Sequence, residues 1–127
     1  ARLNDKNLKR TNHLMIFANH VIEVLAKVKI QTAAERAKGK DVSKVTAAID
    51  VAQTAIDVAK SAIIVQAGKY YVISISSEAN VKNDIIVSMT SLQADAGAVF
   101  EIVNGAKKRV GDAIQALAQV RGERVTR

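Results

Sequence analysis

From Leu92 to Val120 the apolar residues of this 127-residue chain return at alternating steps of four and three without a slip. The series is Leu92, Ala96, Val99, Val103, Ala106, Val110, Ala113, Leu117 and Val120. Only a helix, with 3.6 residues per turn, brings such a series onto one side. Val81, Ile85 and Met89 extend the row backwards, and it passes Gly105 and Gly111 unbroken. The spacing predicts a helix over 78–121, capped by Ser76 or Ser77, either straight or bent at Asn104-Gly105. Straight, it measures ~66 Å at ~1.5 Å per residue. A compact chain of this size has a radius of gyration near ~14 Å, so a straight helix requires an elongated protein. We expect the elongated form.

A second constraint comes from an internal repeat. Residues 48–54 (AIDVAQT) are followed by 55–61 (AIDVAKS) and by the decayed 62–68 (AIIVQAG). A seven-residue period returns each residue to nearly the same helix face, with a drift of only ~20° per repeat. Val42, Ile49, Ile56 and Ile63 form one row, with Val45, Ala52 and Ala59 beside it; Val51, Val58 and Val65 form another. The rows cover an arc of roughly 160°, wider than the ~100° of a helix facing a single layer. Such a helix is expected to touch more than one neighbour. Val42, Ile49, Ile56, Ile63, Val51, Val58 and Val65 are therefore candidates for an assembly interface, together with Tyr70 and Tyr71.

Proline is absent, so nothing in the chain forces a helix to break. The expected fold is all-α: an elongated bundle of long antiparallel helices with short turns and one irregular connector. The first helix should span 5–37 and stop at Gly39, which can take the left-handed backbone conformation. The second should span 41–67, capped by Asp41 or Ser43 and ended by Gly68. The connector, 68–77, carries β-branched and aromatic residues but has no partner strand, and is read as irregular. All 127 residues form one domain in this scheme.

The formal charge is +7, with the excess at both ends of the chain and a net acidic middle, 41–106. Within the first helix, Arg2, Lys6, Lys9, His13, His20, Lys27, Gln31 and Lys38 fall within ~40° of one line. Arg10 stands next to them in sequence. A cationic stripe of this kind suits a polyanion. Its contacts would neutralise phosphates and hydrogen-bond to backbone without reading bases, so the expected binding to DNA or RNA is non-specific. The other cations, Lys107, Lys108, Arg109, Arg121, Arg124 and Arg127, look scattered around their helix.

Catalytic equipment is sparse. With no cysteine there is no thiol nucleophile, disulfide or thiolate metal site. No Gly-rich phosphate loop occurs, and His13 and His20 lie ~10 Å apart along one helix, too far to share a metal unaided. His20 and Glu23 make a lone H-x-x-E, a weak motif without further inward carboxylates. No enzyme activity, cofactor, metal or small-molecule substrate is expected. The longest nearly uncharged run, Ser61–Ser77, is too polar to span a membrane, and Leu14–Leu25 is too interrupted for a signal peptide. Ala1 fits a start from which an initiator Met has been removed. The sequence thus points to a structural subunit, cytoplasmic or within a virion. It would assemble with copies of itself into a filament or shell and coat nucleic acid, as a virion coat or nucleoid-type protein does. The alternative is a small helical module that packs against a different protein.

Overall fold

The computed structural model describes residues 2–71 and 80–122. Its elements are three helices: α1 (Arg2–Ala37), α2 (Ser43–Ala67) and α3 (Val81–Arg121). Among the described residues there is no strand, and the all-α bundle expected from the apolar spacing is what forms.

The helix ends follow local chemistry. α1 stops before Gly39, whose φ of +84° is the left-handed conformation expected there. The Gly39 N–H donates to the Arg36 carbonyl at 2.9 Å, which closes the last turn. Neither Asp41 nor Ser43 is the N-cap of α2: that position is Val42, without a side-chain cap, and Ser43 is already helical, while Asp41 Oδ1 accepts the Ser43 N–H at 3.0 Å from one residue further out. α3 runs without interruption through Asn104-Gly105 and Gly111 to a left-handed Gly122, φ +76°. Its 41 residues span ~62 Å. Its expected caps, Ser76 and Ser77, and residues 72–77 of the connector lie outside the described residues.

Cross-helix contacts give the directions. Asn7 meets Gln66, Lys29 meets Gln53 and Arg36 meets Thr46, so α1 and α2 are antiparallel. Tyr71, just past the end of α2, meets Asp95, whereas Arg121 meets Gln31 near the end of α1. α3 is therefore antiparallel to α2 and runs the same way as α1. Val81 precedes the level of Asp95 by fourteen residues, ~21 Å of helix. Ile85, Ile86 and Val87 in those early turns are exposed. By length and composition alone, one 18-residue stretch of α3 is apolar enough to cross a membrane, and 17% of it is buried in the bundle.

One core joins all three helices. At mid-height Ala18 and Val21 of α1, Ile56 and Ala59 of α2, and Val103 and Ala106 of α3 meet with no space for a water. Each helix thus contributes a small and a branched residue, which keeps the helices close and the layer filled. Fully buried Leu25, Ile56 and Ile63 each stabilise the bundle by roughly 1.5–3 kcal/mol. The α3 row from Leu92 to Leu117 is buried throughout.

The repeat on α2 is divided between inside and outside. Val42, Ile49, Ile56 and Ile63 lie in this chain's own core, as do Val45, Ala52 and Ala59. The expectation that the first four form an assembly interface is corrected: a side chain already covered by α1 and α3 offers nothing to another molecule. Their row, with that of Val45, faces the two neighbours within the chain, and the outer part of the wide apolar arc lies beyond that contact. Ala48, Ala55 and Ala62 are half-buried beside it, and Val51, Val58 and Val65 remain exposed.

At the lower end the Ala59 row continues into Gln66, buried to 1% exposure. Gln66 Nε2 donates to Asn7 Oδ1 at 2.9 Å and to the Tyr71 hydroxyl at 2.8 Å. The Tyr71 hydroxyl donates to Asp95 Oδ2 at 2.6 Å, and Lys69 Nζ stands 3.6 Å from the same oxygen. Asn4 binds both backbone groups of Tyr71, accepting from its N–H at 2.7 Å and donating to its carbonyl at 3.2 Å. All three helices are thereby held in one register, because a buried amide that slips loses its partners.

Candidate nucleic-acid interface

The stripe on α1 forms as the helical period requires. Lys6, Lys9, His13, His20, Lys27, Gln31 and Lys38 are exposed, and Arg10 is half-buried. Arg2 opens α1, but its side chain lies outside the described residues. Among the described residues no carboxylate comes within 4 Å of Lys6, Lys9 or Lys27.

Beside the stripe a groove runs between α1 and α3, and Arg10, His13 and His20 line it from the α1 side. Toward its lower end a depression of about 410 Å³ is lined by Arg10 and His13 of α1 and by Gln93, Gly97 and Phe100 of α3. Higher up, a second depression of about 210 Å³ is lined by Phe17 and His20 of α1 and by Lys107, Gly111 and Ile114 of α3. The Lys107 ammonium is held over the Phe17 ring, 5.8 Å from its centroid. No residue lining either depression is acidic. With no acidic residue in the lining of either depression, Arg10, His13, His20 and Lys107 can meet an anion from outside.

The α3 wall was hidden in the sequence although its signal was present. Gln93, Phe100, Lys107, Ile114 and Arg121 recur every seven residues and so form one ladder. The C-terminal cations, expected to be scattered, divide by face. Lys107 and Arg121 turn toward α1, whereas Arg109 pairs with Asp112 at 3.6 Å. Arg124 and Arg127 lie outside the described residues.

At the upper end the groove is closed by a carboxylate. Glu35, with 8% of its side chain exposed, gathers Lys40 at 3.1 Å, Lys38 at 3.6 Å and Arg121 at 3.8 Å. Lys40 approaches Oε2 off the hydrogen-bond direction, so the contact is an ion pair. The Lys40 ammonium holds the Glu35 carboxyl below its ordinary range, with burial working against it and Lys38 adding to the effect. Gln31 accepts from Arg121 at 3.3 Å. The stripe residues Gln31 and Lys38 are thus already engaged, and the cationic character of the groove is strongest below them.

Among the remaining assembly candidates, Tyr70 is 73% exposed, and Tyr71 is half-buried in the amide network. Burial and the neighbouring Asp95 push the Tyr71 hydroxyl up, with Gln66 opposing. Val51, Val58 and Val65 share an exposed, uncharged strip with Ala47, Thr54 and Ser61. Among the described residues no group of three His, Asp or Glu side chains converges as a metal site would require. Comparisons with protein-family models, with curated proteins and with solved structures found no match for the chain.

Proposed function

We propose that this chain is a structural subunit that assembles with copies of itself and coats nucleic acid through the groove between α1 and α3. The observation that carries this reading is the segregation of its surface. The two depressions of the groove carry Arg10, His13, His20 and Lys107 and no acidic lining residue, while a separate strip on α2, with Val51, Val58 and Val65 at its centre, is exposed and uncharged. Phosphate neutralisation belongs to the first surface and water-excluding contact between copies to the second. Binding by Lys6, Lys9, Arg10, His13, His20, Lys27 and Lys107 is independent of base sequence, since these contacts reach phosphate rather than base edges.

Size-exclusion chromatography of the isolated protein with light scattering and absorbance at two wavelengths tests this directly. The chain has two tyrosines and no tryptophan, so bound nucleic acid dominates its spectrum. A large species carrying nucleic acid is the expected result. A nucleic-acid-free monomer that gains mass only with a different protein would replace the coat-type reading with a partner-binding helical module.

A further inference from the structure

Resting on the nucleic-acid reading of the groove, we propose that its ligand is a single strand, with an unstacked base seated on Phe100, rather than an intact duplex. Phe100 is 53% exposed and stands outside the core that its helix otherwise helps to fill. It lines the lower depression from the α3 side, opposite Arg10 and His13 of α1, so an aromatic side chain and two side chains able to bind phosphate share one recess. Single-strand binders combine these elements: cations track the backbone and aromatic rings take bases, whatever their identity. A duplex presents phosphates outward and keeps its bases stacked, which leaves Phe100 without a use.

The second depression repeats the pattern with His20, Lys107 and Phe17. There Lys107 already covers the ring, so this recess supplies a positioned cation rather than a stacking face. At about 210 Å³ it is smaller than the ~300 Å³ of sites for drug-sized ligands, in keeping with one unit of a polymer. A Cβ placed on Gly97 or Gly111 meets no atom within 4 Å, so packing inside the chain does not require either glycine. Each opens the α3 wall at one depression, where a ligand can approach the backbone.

The test is fluorescence anisotropy with a labelled oligothymidylate of ~20 nucleotides, longer than the ~4–16 nucleotides such sites cover, and with a duplex of equal length. The proteins compared are wild type, Phe100→Ala, and the triple variant Lys6→Glu, Lys9→Glu, Lys27→Glu. Circular dichroism confirms that each is folded. The single strand should bind more tightly than the duplex. Phe100→Ala should weaken single-strand binding between about fivefold and about a hundredfold, the range of one base–aromatic stack. Duplex binding and the salt dependence should be unchanged by that variant, whereas the triple variant should weaken both ligands. Equal binding of both nucleic acids with no effect of Phe100→Ala overturns the single-strand inference and leaves the coat reading standing. Failure of wild type to bind either nucleic acid removes both.

Discussion

Asn7 on α1 and Gln66 on α2 exchange two hydrogen bonds across the helix pair. Asn7 Nδ2 donates to the Gln66 backbone carbonyl at 2.8 Å, and Gln66 Nε2 returns one to Asn7 Oδ1 at 2.9 Å. Both residues are buried, so removing one side chain leaves the other with an unmet polar group. Asn7→Leu and Gln66→Leu should each destabilise the protein by about 1–3 kcal/mol. The double variant should lose less than the two singles combined, because neither amide is then left behind. Urea denaturation of the four proteins reads the coupling, and additive losses would show that the amides act independently.

Two neighbours on α2 separate core from outer surface. Ile56 is 2% exposed and Val58 is 53% exposed. Ile56→Ala should cost about 2–5 kcal/mol, and Ile56→Asp should unfold the chain. Val58→Asp should stay within about 0.5 kcal/mol of wild type, as exposed substitutions usually do, while reducing the size of the assembled species. Thermal denaturation and light scattering on the same samples distinguish the two effects. A Val58→Asp variant of wild-type assembly size would remove the α2 strip as the contact between copies.

The same pair shows what the sequence could and could not reveal. The four-and-three spacing identified α3, and the absence of proline with Gly39 and Gly68 as stops identified α1 and α2. Periodicity reports which residues share a face, but not what covers that face. Ile56 and Val58 both recur every seven residues, and only the packed bundle shows that α1 and α3 cover the first. The groove was half legible for a similar reason. The cations of α1 are dense enough to form a visible stripe, whereas Phe100, Lys107 and Arg121 are separated by whole repeats of mixed chemistry. The Asn7–Gln66–Tyr71–Asp95 network had no sequence signal, since its members come from three separate segments.

Glu35 and Asp41 link stability to acidity. Both carboxyls are held below their ordinary values of 4.5 and 3.8, Glu35 chiefly by Lys40 and Asp41 chiefly by the Ser43 N–H. A carboxyl with a folded pKa below its unfolded one contributes fully above the unfolded value. That contribution disappears as the pH falls through the folded value. Glu35→Gln should therefore have a lower melting temperature than wild type at pH 7, and the gap should narrow as the pH falls below 4.5 toward the lowered folded value. A gap of constant size across this range would show that the Glu35 charge contributes nothing.

The α3 glycines give a stability prediction of opposite sign. Gly97, Gly105 and Gly111 have ordinary helical backbones and open space where a Cβ would go. Alanine at each should stabilise the protein by about 1 kcal/mol. Gly105 lines neither depression, so Gly105→Ala should leave oligonucleotide binding unchanged. Gly97→Ala and Gly111→Ala should be more stable yet bind more weakly. Gly39→Ala should lose about 1–2 kcal/mol because its φ is positive. Denaturant midpoints and anisotropy titrations on the four variants check both halves.

With three helices, α1 and α3 point the same way, and the two poles of the bundle are chemically unlike. One end holds the Gln66 amide network with the Lys69–Asp95 ion pair, and α3 extends beyond it; the other holds a carboxylate ringed by Lys38, Lys40 and Arg121. The molecule is a vector. Copies joined pole to pole form a polar array whose two tips expose different chemistry, so growth at one tip need not match growth at the other. Copies paired side by side through α2 cancel that polarity only when they are inverted. The relative direction of the two copies in such a pair would therefore decide whether an assembly of this chain has a front and a back.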